Sequence, residues 1–451
     1  DFSQVEADVA KLDLNTQFAL YYPEKRPFFL EGIDFFSTQI NGVYTRTLAD
    51  PSWGVKVSGK EGKNAIGFFV SRDEITNFLL PGAEESETTT LDQGAMAVVL
   101  RYRRDIGSSS TLGFLFTDRE GKDYHNRLAG VDGLLRLSKS DTLRFQVLGS
   151  STRYPDHIVG EFNQKTGNLT GYTAYLCYRR QARAYGWETI YEDFSPDFRA
   201  DLGFIPQVNY RKGIVGGNYT YWGKKGDFFS RVEVRGDLAQ IQDHRGNLLE
   251  RGAELAVEAD MPLQSLFIMA AGIRKKVYNS VPFNQHYLDI FFEMQPSGEL
   301  SLNCSFKMGD EIDFEHTRAG KQLVIVPNVI YKFGKHLVTS LSYSYSYLDV
   351  DKGRLFTVHL LQSRLVFHFS KRAFLRGIIQ YKDISRDVSL YHNQEDPKYK
   401  KLFTEFLFSY KINPRTVLFL GYSDIFQGLV DVNLKQTNRT LFLKIGYALS
   451  L

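Results

Sequence analysis

The last eleven residues, Leu441 to Leu451, constrain this chain more than any other stretch. Leu441, Leu443, Ile445, Tyr447, Leu449 and Leu451 alternate without a break against Phe442, Lys444, Gly446, Ala448 and Ser450. Period two with one wholly apolar face is the pattern of a strand. In a soluble sheet such a strand would be an edge needing charge, proline or cover. Closing a barrel removes the edge, and a barrel in lipid turns its apolar face outward and its polar face toward a wet lumen. The expected fold is therefore all-β, a transmembrane antiparallel β-barrel that crosses the Gram-negative outer membrane many times.

The same alternation recurs upstream. Trp53, Val55 and Val57 oppose Lys56 and Ser58, and Met96, Val98, Leu100 and Tyr102 oppose Arg101 and Arg103. Leu143, Phe145 and Val147 oppose Arg144 and Gln146. Leu341, Tyr343, Tyr345 and Tyr347 oppose Ser340, Ser342, Ser344 and Ser346. The polar side of each run would be costly in lipid, so it is expected to face the lumen. Tight links fall near Glu61, Ile106, Lys139, Gln181, Lys225, Pro262, Ser297, Gly334, Lys371 and Asn413. They alternate with mostly longer links near 76–93, 120–126, 154–168, 195–208, 280–285, 314–320, 386–398 and 428–437, and with shorter ones near Asp50, Arg245 and Lys352. Short periplasmic turns and long external loops have this rhythm. The tally is about 22 strands, within a range of 18 to 26, and an even count is expected.

Composition closes off other classes. Aromatic residues make up 14% of the chain while mean hydropathy is negative, at −0.28. No apolar run approaches the roughly 18–20 residues of a spanning helix; the longest are fragments such as Leu266 to Ile273. A net charge of +3 is too small to point to nucleic acid. Cys177 and Cys304 sit on separate strand-like runs without metal-ligand spacing and read as unpaired thiols. No signal peptide precedes Asp1, as expected of a secreted protein numbered from a mature or truncated start.

Residues 1–41 do not alternate cleanly, and they carry Pro23, Pro27 and the cluster Glu24, Lys25, Arg26. They are expected to lie outside the barrel wall, as a lumenal plug or a periplasmic segment that starts on the periplasmic side. Arg26, Phe28, Phe29, Phe35 and Phe36 are its candidate contacts with inward aromatics, and residues 42–451 are expected to form the barrel. Candidate lumen-facing residues are Arg101, Arg103, Arg136, Arg144, Arg231, Glu233, Arg235, Asp237, Glu254, Glu258, Arg364 and Arg376. Two readings of these charges stay open: ion pairs that hydrate the wall, or a selectivity surface for a polar solute. The acidic, threonine-rich stretch from Glu84 to Thr90 reads as a solvated external loop rather than a cation site.

Three passages carry a family resemblance: "DFSQVEADVAKLDLNTQFALYYPEKRPFFLEGIDFF", "DPSWGVKVSGKEGKNAIGFFVSRDE" and "SPDFRADLGFIPQVNYRKG". Over residues 1 to at least 212 the chain resembles the uncharacterised C-terminal domain that, in many Gram-negative proteins, follows a module similar to family 9 carbohydrate-binding modules. The resemblance implies an outer-membrane barrel whose periplasmic N-terminal module is not in this chain. It brings no activity and no catalytic residues with it.

A search for chemistry finds little. His125 lies beside Asp123, His316 follows Glu315, and His392 shares a stretch with Glu395 and Asp396, but none stands at informative spacing from a nucleophile. His359 and His368 fall on opposite faces of one run and would not share a metal. No phosphate loop, GxSxG or HExxH occurs. The chain is thus expected to be no enzyme and to take no cofactor and no metal. The expected function is a porin-like channel or transporter for a polar, carbohydrate-related solute. The alternative is an interaction platform that anchors a periplasmic module or docks a partner protein at the outer membrane, and a membrane-embedded hydrolase is a third reading. Outer-membrane lipid is the expected partner, with a periplasmic module or another protein chain beside it, and no nucleic acid.

Overall fold

The computed structural model describes residues 11, 14–413, 416–428 and 434–447. Ala448 to Leu451 of the terminal alternation lie outside the described residues. The strands are β1 (Pro51–Glu61), β2 (Asn64–Asp73), β3 (Thr76–Pro81), β4 (Ser86–Leu91), β5 (Ala95–Ile106), β6 (Ser110–Gly121), β7 (Tyr124–Arg136) and β8 (Asp141–Arg153). They continue as β9 (Leu169–Gln181), β10 (Tyr185–Phe194), β11 (Tyr210–Trp222), β12 (Arg231–Gln242), β13 (Leu248–Met261), β14 (Ser265–Tyr278), β15 (Val281–Met294) and β16 (Leu300–Asp313). The last are β17 (Arg318–Phe333), β18 (Leu337–Val350), β19 (Gly353–His368), β20 (Ala373–Arg386), β21 (Lys398–Asn413), β22 (Thr416–Gly428) and β23 (Lys435–Tyr447). Among the described residues there are also two short α-helices, α1 (Pro27–Leu30) and α2 (Asp156–Glu161), and three 3-10 turns, Ile33–Phe35, Thr45–Thr47 and Val388–Leu390. Among the described residues no helix is long and apolar enough to cross a membrane.

A single sheet of 21 strands forms the wall, while β3 and β4 make a separate hairpin inserted between β2 and β5. Every ladder in the wall is antiparallel between sequence neighbours, save the step from β2 to β5. Among the described residues no ladder joins β1 to β23. The curl of the sheet is visible in contacts that cross it, such as the Glu84 carboxylate accepting from the Asn279 backbone N–H at 2.7 Å. This is a transmembrane antiparallel β-barrel. Its two faces separate sharply on β23, where Leu443 is 66% and Ile445 63% exposed while Lys444 between them is 8% exposed.

The count departs from an even 22 because the wall begins at Pro51, not Gly42. Thr45–Thr47 is a 3-10 turn, and the carbonyls of Thr45 and Leu48 accept from the Arg26 guanidinium. Backbone acceptors taken by buried side chains cannot also serve a ladder. Two links expected to be long are two-residue turns, Lys122–Asp123 and Asn279–Ser280, with φ of +56° at Asp123 and of +48° and +65° at Asn279 and Ser280. Positive φ lets two strands meet in a tight hairpin. His125 therefore sits within β7 rather than in a loop. Long connections remain at 74–94, 154–168, 195–209 and 387–397, all at one end of the wall. The topology of such barrels makes that end the outer mouth.

On the face of the wall that carries Phe69 and Lys444, residues 14–50 and the connection 195–209 pack as a second layer. Phe29, Phe36, Ile40 and Leu48 share a core with Phe198, Leu202, Ile205 and Val208 and with the wall residues Phe69, Val99, Leu115, Leu128 and Leu148. Gly171 and Gly203 permit this approach. A Cβ on Gly171 would lie 2.2 Å from the Phe198 nitrogen, and one on Gly203 would lie 2.5 Å from the Asn41 oxygen.

Candidate functional site

The described part of the N-terminal segment is built around one turn of helix. Arg26 precedes Pro27, whose fixed φ suits the first helical position, and α1 carries Phe28 and Phe29. Gly32 follows with φ +65°, reversing the chain so that Phe35 and Phe36 return to the same wall strands. The rings of Phe29 and Phe36 meet Phe69 of β2 edge-on at centroid distances of 6.1 and 5.4 Å. Phe28 is half-buried under the Lys56 ammonium at 5.1 Å, and the Gly67 position on β2 touches both Phe35 and Phe36. Lys56 also donates to the Phe28 and Glu31 carbonyls.

Glu24 and Arg26 are both buried and face each other with Arg26 Nη2 to Glu24 Oε2 at 2.7 Å. Burial opposes ionisation of Glu24, yet hydrogen bonds from Arg26 and Thr45 hold its carboxyl down from the ordinary 4.5 to about 2. A depressed folded pKa gives stability that is present above the unfolded value and lost as pH falls through the folded one. Hydrogen exchange of the Phe29 and Leu48 amides is therefore expected to accelerate as pH drops from about 4.5 to about 2, after correction for intrinsic rates. In Glu24→Gln that pH dependence should vanish, and a wild-type profile in the variant would refute the assignment.

Arg119 on β6 is the junction that sequence reading missed. Fully buried, it donates to the carbonyls of Asn77 at 2.8 Å, Thr47 at 3.2 Å and Asp201 at 3.4 Å, and to the Asp73 carboxylate at 3.3 Å. One guanidinium thus ties together the hairpin, the N-terminal segment, the inserted connection and the wall. Asp73 in turn accepts from the Ala49 and Asp50 amides at 3.1 and 2.7 Å. Asp201 accepts from the phenols of Tyr124 at 2.7 Å and Tyr154 at 3.0 Å, and Asn126 holds the Asp201 N–H and the Arg199 carbonyl. Burial pushes the Asp201 carboxyl above its ordinary value, against the pull of both phenols.

Ladder register puts all twelve candidate lumen residues on the side of Phe69 and Lys444, away from the exposed apolar face. Two groups come together. Arg231 meets Asp260 at 2.8 Å, Glu233 at 3.4 Å and Glu258, while Arg235 meets Asp237 at 3.1 Å and Glu254 at 3.7 Å. Arg101 lies apart from these and pairs with Asp132 at 2.7 Å, and Arg376 pairs with Glu405 at 2.8 Å. Arg103, Arg136, Arg144 and Arg364 are spread over β5, β7, β8 and β19. A small cavity of about 180 Å³ opens between Arg179, Glu188, Glu233, Arg235 and Asp237.

The outer mouth contains a larger cavity of about 530 Å³, lined by Asn15, Gln17, Glu85, Tyr278, Asp313, Glu315, Phe356, Arg386 and Tyr391 among others. Two histidines far apart in sequence meet on its rim. His316 Nδ1 lies 2.8 Å from an Asp313 carboxylate oxygen, and its Nε2 accepts from the His392 backbone N–H at 3.2 Å. That arrangement ties the 314–317 turn to the 387–397 connection, and burial pushes the neighbouring Tyr391 phenol up to about 12. Glu85 also lines this cavity, and the threonines after it belong to β4, paired with β3, rather than to a loop. Among the described residues no cluster of histidine, cysteine and carboxylate groups is arranged to hold a metal ion.

The family described as "Domain of unknown function (DUF5916)" matches residues 1–81, which span the N-terminal segment, β1 and β2 and the start of the hairpin. No curated protein matches in sequence. Among solved structures, the copper transporter OprC aligns with TM-score 0.56 at 10% identity, covering 87% of this chain and 77% of that one. The FrpB iron transporter of Neisseria meningitidis, as apoprotein, aligns with TM-score 0.55 at 12% identity over 87% of this chain and 78% of that one. A mutant of the ferric enterobactin receptor PfeA of Pseudomonas aeruginosa gives TM-score 0.53 at 10% identity, with 86% and 73% covered. At such identity the likeness is one of fold, and the fold is that of a Gram-negative outer-membrane barrel.

Proposed function

We propose that this barrel carries a polar solute across the outer membrane, with residues 14–50 acting as a plug against β1, β2 and β5–β10. The observation that supports this reading best is the polar mouth cavity of about 530 Å³ above a lumen lined with charge. Paired charges hydrate a wall without fixing one counter-ion, so they suit a solute that is polar rather than strongly charged. A carbohydrate-related solute has only the sequence resemblance behind it. Purified protein in planar bilayers is expected to show steady conductance steps. Replacing Arg231 and Arg235 together by glutamine removes two lumenal positive charges and should shift permeability toward cations, measured as a change in reversal potential under a salt gradient.

The interaction-platform reading draws on a specific feature, the second layer of residues 14–50 and 195–209 that packs against β2 and β5–β10. Electrical silence, together with stoichiometric co-purification of another chain, would favour that reading over transport.

A further inference from the structure

We propose that the tip of the β3–β4 hairpin and the Tyr278–Ser280 turn are the two jaws of a gate at the outer mouth. The proposal rests on the transport reading above and adds where passage is controlled. The hairpin is rooted between β2 and β5, the second and third strands of the wall, and its tip touches the turn between β14 and β15, the twelfth and thirteenth. Ten places round a wall of 21 strands is close to half the circumference. The hairpin, each six-residue arm roughly 20 Å long at the rise of a strand, therefore reaches from its root toward strands on the other side of the mouth.

Root and tip are held very differently. At the root, Thr76 donates to the Gln93 carbonyl at 2.7 Å, Arg119 holds the Asn77 carbonyl, and Phe78 packs edge-on against Tyr124 and Tyr154 at 5.0 and 5.5 Å. Phe78 and Leu80 are buried in that cluster. The near side of the tip is tied to the start of β11, where Val208 N–H donates to the Gly82 carbonyl at 3.0 Å and the Gln207 amide to Ala83 at 2.7 Å. Across the mouth the contacts that reach the opposite wall are, among the described residues, polar. Glu84 accepts from the Asn279 N–H at 2.7 Å, and Glu85 accepts from the Tyr278 phenol at a long 3.5 Å. Gln17 bridges the jaws, donating to the Glu84 carbonyl and accepting from Lys276 Nζ at 2.5 Å.

The far jaw is rigid. Tyr278 packs with Phe283, Ile312 and Phe314, and two successive residues of positive φ fix the turn. Local opening starts where contacts are polar, partly exposed and without apolar packing. That point is the line between Glu84–Glu85 and Tyr278–Asn279. Glu85 and Tyr278 both line the 530 Å³ cavity, so parting the jaws widens its entrance without disturbing the buried junction at Arg119.

The test uses the full chain with Cys177→Ser and Cys304→Ser as background. Glu84→Cys with Asn279→Cys gives a disulfide across the jaws. Oxidation is expected to cut the flux of radiolabelled sucrose, the polar probe, into proteoliposomes at least about tenfold, equivalent to about 1.4 kcal/mol in the opening equilibrium, and dithiothreitol should restore it. Glu84→Ala with Glu85→Ala should raise flux above the background protein. Spin labels at positions 84 and 279 should report two distance populations. Flux in the oxidised form equal to that in the reduced form overturns the gate and leaves transport standing. One narrow, invariant distance also overturns it. No flux in any form, with two distance populations, overturns the transport reading and with it any role of this motion in passage.

Discussion

Replacing Arg119 by alanine is expected to destabilise the folded barrel by about 3–5 kcal/mol, the cost of leaving one partner of a buried ion pair uncompensated. Both Arg119 and its partner Asp73 are wholly inaccessible to solvent. The three carbonyls that share the guanidinium, at Thr47, Asn77 and Asp201, would lose a buried donor as well. Lysine should rescue little, because a point ammonium cannot reach acceptors arranged around a planar fork. The matching control is Arg127, whose ion pairs to Asp118 and Glu120 at 3.4 and 3.5 Å are exposed. Its removal should cost under about 1 kcal/mol. Urea unfolding in detergent micelles, followed by tryptophan fluorescence, measures both. Equal losses for the two variants would show that the junction is not what holds the second layer to the wall. In Asp73→Ala combined with Arg119→Ala the loss should fall short of the sum, since neither buried charge is then stranded.

Much of the wall was legible in the sequence, and the reason is geometric. Alternation at period two assigns a face without knowledge of any partner, so Val55 against Lys56 or Leu443 against Lys444 could be placed by counting. Lengths of connections were less legible. Lys122–Asp123 and Asn279–Ser280 looked like parts of longer loops because the strands beside them carry His125 and Pro282, residues that blur an alternating run. The usable signal was the Asp and Asn at positions that tolerate positive φ. The stretch from Glu84 to Thr90 looked like a solvated loop because of its glutamates, whereas its three consecutive threonines favour the strand Ser86–Leu91 that they join.

The junction itself was not legible. Arg119 sits in the run Thr117, Asp118, Arg119, Glu120, which alternates like any charged strand end near a mouth. Its partners come from residues 47, 73, 77 and 201, and periodicity carries no information on contacts so distant in sequence. Two of the quoted passages meet there, Asp73 from the second and Asp201 from the third, while Arg26 of the first holds the Thr45 and Leu48 carbonyls that flank Thr47. Likewise, the histidines judged singly along the chain gave no hint that His316 would meet His392.

The assignment of faces predicts the largest contrast between neighbouring residues. On β18, Leu341 points outward and is exposed, while Ser342 points into the lumen between Asn328 and Gln362. An arginine on the lipid-facing side near the bilayer midplane costs about 2–4 kcal/mol in a barrel of this kind. Leu341→Arg should therefore lower folding stability by about that much, because its guanidinium must snorkel toward a headgroup along neighbours as apolar as Val329. Ser342→Arg places the same charge one residue further on, beside amide groups and water, and should cost under about 1 kcal/mol. Folding into lipid vesicles from urea, read by protection from protease, separates the two. If Ser342→Arg blocked insertion and Leu341→Arg did not, the faces would be reversed, and the lumenal positions of Arg231, Arg235 and Arg376 would be reversed with them. The same inversion would move Phe69 onto the lipid side, where Phe29 and Phe36, which pack on it, could not follow.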